Sequence, residues 1–165
     1  KRLEHEGYHF EAADASLELL MRRAAGWEHD FFKVESMRVI TDELPNGDFT
    51  TEATVKVWVG DGADAVRHVT TAEGNGPVNA IDRALRTALS ESYPALDRVH
   101  LTDFKVRILD GAGATGAVTR VLLDATNGER DWTTIGVSSN IIEASWRALE
   151  ESIVYGLLHA HTPVT

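Results

Sequence analysis

The 165-residue sequence has no cysteine, which excludes disulfides, thiolate metal sites and a cysteine nucleophile. It also lacks any apolar run of the roughly 18 residues that a membrane-spanning helix requires. Basic residues are too few to balance the acidic ones, and the net charge of −10 argues against binding to nucleic acid or to an anionic membrane. The first six residues lack the apolar core of a signal peptide, and we expect a cytoplasmic protein.

The first element that the sequence does contain is a helix, predicted from about His9 to Ala25. Gly26 follows at the position where a left-handed C-terminal cap is expected. The apolar residues recur at the three- and four-residue spacing of one buried helical face. They are Phe10, Ala13, Leu17, Leu20, Met21 and Ala24.

Three extended segments and a second helix come next. Strands are predicted over Phe32–Thr41, Thr51–Val59 and Ala65–Glu73, joined by short turns that make antiparallel neighbours. The middle segment alternates apolar and polar residues, which is typical of a half-buried strand. Proline is favoured at the first position of a helix, so Pro77 marks the start of a helix that runs to about Ser92.

The same order of elements then repeats. Strands are predicted over Leu101–Leu109, Ala117–Ala125 and Asp131–Ile135, with a loop at Gly111–Gly116. Gly136–Asn140 opens a helix whose predicted stripe is Ile142, Trp146, Leu149 and Ile153. The two helix starts overlay when Asn79 is matched with Asn140, Asp82 with Glu143, and Arg86 with Arg147. This repeat predicts an α+β fold of two pseudo-symmetric βββα units, with sheets packed against helices and one helix in front.

Two histidine motifs are candidates for a metal site. His5-Glu6-Gly7-Tyr8-His9 matches the H-E-x-x-H pattern of zinc hydrolases, which needs both histidines on one helical face and a third ligand downstream. Gly7 weakens such a helix and no downstream ligand is evident, so two solvent-facing histidines are the favoured interpretation. His159 and His161 form a second, weaker pair near the chain end.

The loop Gly74-Asn75-Gly76-Pro77 is the most informative feature. Its glycines let the backbone approach a ligand, and the helix that begins at Pro77 directs N–H groups and a positive dipole end toward it. The loop has no Lys or Arg, which favours a small carboxylate over a nucleotide phosphate. A tight turn without a ligand explains the same residues equally well. Val78, Leu101 and Phe104 are either pocket or core residues.

Three segments resemble a known family. Glu6–Ser16 resembles the segment before the regulatory domain in citramalate synthases. Gly74–Leu85 resembles the first ligand loop of the C-terminal regulatory (LeuA dimerisation) domain of 2-isopropylmalate synthases, and Trp132–Trp146 resembles its second unit in the citramalate synthase form. The resemblance implies a homodimeric domain, with residues 1–28 as a helical linker and 29–165 as the regulatory part, its units spanning about 31–93 and 99–160.

The resemblance also implies a function for the chain. The parent enzyme would condense acetyl-CoA with a 2-oxo acid in a metal-dependent TIM barrel of about 250 residues, and this chain would itself be non-catalytic, with no cofactor of its own. It would bind a branched-chain amino acid, isoleucine rather than leucine, as a feedback inhibitor. The charged end would meet Gly74, Asn75, Gly76, Pro77, Val78 and Ala80, and the side chain would meet Leu101, Phe104 and Ala117.

Other functions stay open at this point. Leucine would be the effector if the chain came from a 2-isopropylmalate synthase. A small zinc hydrolase using His5 and His9 is the enzyme alternative, and a dimerisation domain without a ligand is the third. The βαββαβ type of amino-acid-binding domain is disfavoured, because three strands precede each helix here.

Overall fold

The computed structural model describes residues 2–109 and 116–160 and confirms the repeated strand–strand–strand–helix order. In chain order the elements are α1 (Arg2–His5), α2 (Asp14–Ala24), β1 (Phe32–Glu43), β2 (Phe49–Val59), β3 (Val66–Gly74), α3 (Pro77–Leu89), β4 (His100–Ile108), β5 (Thr119–Thr126), β6 (Asp131–Ser138) and α4 (Ile141–His159). Short 3-10 helices cover Phe10–Ala12, Gly62–Asp64 and Pro94–Arg98. None of the helices described is both long and apolar enough to cross a membrane.

The chain divides into two compact units. The first unit is His29–Leu96, and the second joins the chain up to Glu28 with the chain from Asp97 onward. Each unit holds one three-stranded antiparallel sheet, in the orders β1-β2-β3 and β4-β5-β6. The central strands alternate as their sequences predict, and the inward residues are buried. These are Ala53, Val55, Val57 and Val59 on β2, and Val121, Leu123 and Ala125 on β5.

One helix packs on a face of each sheet. In the first unit α3 buries Ile81, Leu85 and Leu89, and in the second unit α4 buries Leu149 and Ile153. The other face of the second sheet is partly covered by the N-terminal segment, where Ala13 packs with residues of β6 in an apolar cluster. The second sheet is therefore covered by α4 on one face and partly by the N-terminal segment on the other.

The prediction for the N-terminal helix was wrong in its extent and in its buried face. A 3-10 turn precedes α2, which begins only at Asp14, and its buried residues are Ala15, Ser16 and Leu19. Met21 is 65% exposed, although the predicted stripe included it. The physical reason is that two side chains of α2 form hydrogen bonds with the backbone of β6. Asp14 Oδ1 accepts a hydrogen bond from the Thr133 N–H at 3.0 Å, and Ser16 Oγ accepts one from the Ile135 N–H at 2.9 Å. These bonds to the edge strand β6 place Asp14 and Ser16 toward the sheet and leave the apolar Met21 exposed.

The prediction for Gly136–Asn140 was right about the helix start, since Asn140 caps α4, but wrong about its first three residues, which are strand. Strand β6 continues to Ser138, and α4 begins at Ile141. Gly136 lies in the strand, where an added Cβ would be 1.8 Å from the carbonyl oxygen of Ala144. This glycine therefore permits close packing of α4 on the sheet and does not form a turn. Within the predicted stripe, Leu149 and Ile153 are buried, whereas Ile142 and Trp146 are only half-buried.

Matching hydrogen bonds fix the register of the repeat. Thr70 Oγ1 donates to Ala84 O and Thr134 Oγ1 donates to Ala148 O, both at 2.7 Å. In the same way a guanidinium nitrogen of Arg83 donates to Glu73 O in the first unit, and one of Arg147 donates to Val137 O in the second.

The overlay predicted for the two helices is therefore wrong by three residues. Arg147 corresponds to Arg83 and not to Arg86, and the counterpart of Asn140 is Gly76. Helix α3 has two arginines, Arg83 and Arg86, so residue type alone did not identify which of them corresponds to Arg147. The corrected register is supported by two β-bulges at equivalent positions of the sheets. One lies between Val34 and Ser36, and the other between Leu101 and Asp103.

Candidate functional site

The two glycines of the loop between β3 and α3 have different roles. An added Cβ at Gly74 would be 2.5 Å from the Ala80 nitrogen and 2.8 Å from its Cα, so the strand end and the helix start are too close for a side chain. Gly76 has extended backbone angles (φ 177°, ψ 176°), and its Cβ position has no atom within 4 Å. Gly74 therefore closes the loop, while Gly76 leaves its outer side open.

The N-terminus of α3 has no side-chain cap. Gly76 occupies the capping position without an acceptor, and Pro77 contributes no N–H group. The N–H groups of Val78 and Asn79 follow in the first helical turn, which contains no acidic residue. Backbone donors and the positive end of the helix dipole together favour an anion at this position. A carboxylate is the matching ligand chemistry.

In the second unit, the N-terminus of α4 is capped by a side chain of the same unit. The Asn140 side chain accepts hydrogen bonds from the N–H groups of Ile142 and Glu143, at 2.9 and 3.3 Å. Glu143 in turn accepts from Ser138 Oγ and from Arg147. Asn140 with Glu143 three residues later is a capping-box pattern that marks this helix start in the sequence. The two helix starts are therefore not equivalent, and only the one at Gly76 is left without a side-chain acceptor.

The remaining loop residues differ in access. The Asn79 side chain accepts a hydrogen bond from the Asn75 N–H at 3.2 Å, which holds the loop in a compact turn. Pro77 and Val78 are half-buried, and Asn75 is exposed. Ala80 is fully buried, and its N–H donates to Gly76 O at 3.0 Å. The accessible part of the loop is therefore 75–79, while the Ala80 side chain belongs to the core.

The predicted side-chain contacts lie in the second unit. Leu101 is half-buried, Phe104 is 41% exposed, and Ala117 is buried. Phe104 is opposite the buried Leu123 in the sheet register, on the face that α4 covers only over β5 and β6. Val106 and Ile108 share this uncovered face, and they were expected only as apolar strand residues and not as ligand contacts. The alternation of apolar residues along β4 was the available signal. Most of the predicted Gly111–Gly116 loop lies outside the described residues.

The zinc-hydrolase alternative lacks the helix that it needs. His5 ends α1, Gly7 has a positive φ of 103°, and His9 precedes the 3-10 turn, so the motif does not form one helical face. Within residues 2–109 and 116–160, no group of three His, Asp or Glu side chains is placed to hold a metal ion. His159 Nε2 is 3.1 Å from Glu18 Oε1, and its proposed partner His161 lies outside the described residues.

A separate cleft in the second unit has acidic walls. It encloses about 480 Å³ and is lined by Glu11, Asp14, Asp124 and Asp131 together with Thr102, Trp132 and Thr133. Two of these carboxylates already accept hydrogen bonds, Asp14 from the Thr133 N–H and Asp124 from Thr133 Oγ1. The acidic side chains would repel a carboxylate ligand from this cleft. The cleft therefore does not suit the α-carboxylate of an amino acid.

Comparison with known proteins gives a consistent result. Residues 11–157 match the LeuA allosteric (dimerisation) domain family. A protein named (R)-citramalate synthase from Streptomyces coelicolor is 52% identical over 161 residues, and proteins of the same name from Aquifex aeolicus and Synechocystis are 50% and 52% identical. These matches cover 95–97% of this chain but only 29% of each relative. The chain therefore spans less than a third of the length of these relatives.

Proposed function

The chain belongs to the LeuA allosteric (dimerisation) domain family, and from this we propose that it is the regulatory and dimerisation part of a citramalate synthase-like enzyme. The parent would be an acyltransferase that condenses acetyl-CoA with a 2-oxo acid. Its divalent metal and acetyl-CoA would bind in a catalytic TIM barrel of the same parent chain, since this chain covers only 29% of the length of its relatives. We further propose a cytoplasmic homodimer as the working form.

The ligand proposed for this domain is a branched-chain amino acid that acts as a feedback inhibitor. The observation that carries this proposal is the difference between the two helix starts. Asn140 satisfies the first N–H groups of α4, whereas Gly76 leaves those of α3 without a side-chain acceptor. The α-carboxylate of an amino acid supplies the acceptor that Gly76 lacks.

The resemblance assigns the aliphatic side chain of the ligand to three residues of the second unit. Phe104 and the half-buried Leu101 are the proposed contacts, and the small Ala117 would leave room for a branched side chain. Isoleucine is favoured over leucine because these relatives are named (R)-citramalate synthase, the form of the family for which the resemblance implies isoleucine. Leucine binding is the alternative.

Regulation would follow from a difference in ligand affinity between two arrangements of the parent enzyme. A ligand shifts such an equilibrium only by its differential affinity, which in allosteric proteins is typically about 1–3 kcal/mol. The domain would then lower catalysis in the barrel without contacting the substrates.

Isothermal titration calorimetry of the chain with isoleucine, leucine and valine tests the ligand. We expect saturable heat with isoleucine, and saturation at a lower concentration than with leucine or valine. The strongest binding by leucine would support the leucine alternative, and no heat with any of the three would refute the ligand assignment. Size-exclusion chromatography with light scattering tests the dimer separately, because a dimer without amino-acid binding would support a pure dimerisation domain.

A further inference from the structure

Two arginines stand directly opposite each other in the second sheet. Arg107 on β4 is the register partner of Arg120 on β5, and both lie on the face that points away from α4. Like charges at directly opposed positions destabilise a sheet. The pairing is unexpected in a chain of net charge −10, which has 26 acidic residues available to separate two cations.

Neither guanidinium is neutralised by a described carboxylate. Arg120 Nε donates to the carbonyl oxygen of Gly7 at 2.7 Å, an uncharged acceptor, and Arg107 has no hydrogen bond or ion pair within the described residues. The neighbouring Lys105 is different, because its ammonium group is 2.7 Å from Asp103 and 3.5 Å from Asp124. Burial and the adjacent charge of Arg107 lower the pKa of Arg120.

The position of Arg120 is fixed by the backbone that it contacts. Gly7 has a φ of 103°, and an added Cβ there would be 2.4 Å from Leu109 Cδ1. The carbonyl that accepts from Arg120 therefore belongs to a residue whose left-handed backbone favours glycine and which packs closely on Leu109. With Nε engaged, the two terminal nitrogens of the guanidinium remain for another acceptor. A guanidinium held in this way presents a planar fork that suits an oxyanion.

A small cavity is present at the same place. It encloses about 230 Å³ and is lined by Lys105, Val106, Arg107, Arg120 and Leu122. Pockets for drug-sized ligands are typically about 300–1,000 Å³, so this volume fits a small ion and is too small for a nucleotide.

We propose that the Arg107–Arg120 pair is a binding site for a small oxyanion, either a carboxylate or a phosphate group. The bound anion relieves the repulsion between the two guanidinium groups and accepts hydrogen bonds from both. Because Arg120 also holds Gly7, the anion strengthens the attachment of the N-terminal segment to the second sheet. This site is independent of the loop at Gly74–Ala80, and the proposed function does not require it.

Thermal unfolding at constant ionic strength tests the site, with sodium chloride exchanged for inorganic phosphate in one series and for malonate in another. The melting temperature of the wild-type chain is expected to rise by about 5 °C at a hundred times the Kd of the bound anion. A response to phosphate alone assigns a phosphate ligand, a response to malonate alone assigns a carboxylate, and responses to both support the shared chemistry. No rise with either anion overturns the proposal.

The Arg107→Gln variant separates anion binding from folding. Without anion its melting temperature equals or exceeds that of the wild type, because one of two repelling charges is removed, and its rise with anion falls to less than a third. Arg38→Gln is the matched control, since Arg38 is an exposed strand arginine opposite Thr54. Equal anion responses in wild type and Arg107→Gln would overturn the proposal. A complementary NMR titration should shift the Nε–Hε signals of Arg107 and Arg120 while leaving that of Arg38 in place.

Discussion

Asn140 caps α4 at the position that Gly76 occupies before α3. The correspondence follows from paired hydrogen bonds, in which Thr134 and Thr70 bind the helix carbonyls of Ala148 and Ala84. The same βββα unit therefore appears once with a side-chain acceptor at its helix start and once without one. This difference makes the proposed ligand site testable by a single exchange of residues.

Gly76→Asn should install the missing cap and remove the proposed effector site. The extended backbone at Gly76 is accessible to any residue, and the Cβ position is unobstructed, so the free energy of unfolding should rise by a few tenths of a kcal/mol. The new amide oxygen would accept from the N–H groups that the ligand carboxylate needs. Affinity for isoleucine, measured by calorimetry, should fall at least about tenfold, which corresponds to roughly 1.4 kcal/mol.

Asn140→Ala is the reciprocal control for that variant. It removes the acceptor for the N–H groups of Ile142 and Glu143 and should lower the free energy of unfolding by about 1 kcal/mol in urea denaturation. Isoleucine affinity should remain that of the wild type. Wild-type affinity in Gly76→Asn, or a matching loss of affinity in Asn140→Ala, would contradict the assignment of the ligand to the first unit.

Gly136→Ala should be severely destabilising. The new methyl carbon would be 1.8 Å from the Ala144 oxygen and 3.1 Å from the Ala148 nitrogen, and both are backbone atoms that cannot move aside. We expect a loss of about 3 kcal/mol or more in urea denaturation, because α4 must separate from β6. Gly116→Ala is the control, since its Cβ position is empty and the stability should hardly change. Similar stabilities for the two variants would refute this account.

Much of the fold was visible in the sequence because it depends on local rules. The alternation along β2 and the proline at the start of α3 placed those elements within two residues of their observed starts. The loop at Gly74 was identified for the same reason, since two glycines before a helix-starting proline are a local pattern. Whether a ligand binds there is a separate question that the local pattern does not decide.

What the sequence could not supply depends on tertiary contacts. The face of α2 is selected by bonds from Asp14 and Ser16 to the edge of β6, and helical periodicity contains no information about them. The exposure of Phe104 depends on which strands α4 covers, which the order of elements leaves undetermined. The opposed pair Arg107 and Arg120 appears only when the register of β4 and β5 is known.

Glu35 should titrate far below an ordinary glutamate. Both of its oxygens accept from Arg67, at 2.7 and 2.8 Å, and this hydrogen bonding lowers the pKa of Glu35 to about 2. Because the folded pKa is below the unfolded value, the pair contributes stability above that value and loses it as the pH falls toward 2. NMR titration should give a midpoint near 2 that rises toward the ordinary glutamate value of about 4.3 in Arg67→Gln. An unchanged midpoint in that variant, or a comparable shift in Arg38→Gln, would contradict this assignment.

Ser16→Ala should cost more stability than its size indicates. The hydroxyl donates to a carboxylate oxygen of Glu151 on α4 and accepts from the buried N–H of Ile135 on β6, so one small side chain joins three elements. Removing it leaves a buried N–H without an acceptor, and the free energy of unfolding should fall by about 2 kcal/mol. The exchange rate of the Ile135 amide hydrogen should rise with it. Ser92→Ala, at an exposed position, should change neither quantity. Leu17 lies on the apolar face of α2 that stays partly exposed, so Leu17→Ala should hardly change the free energy of unfolding. A larger loss of stability in Leu17→Ala than in Ser16→Ala would mean that apolar packing fixes this helix.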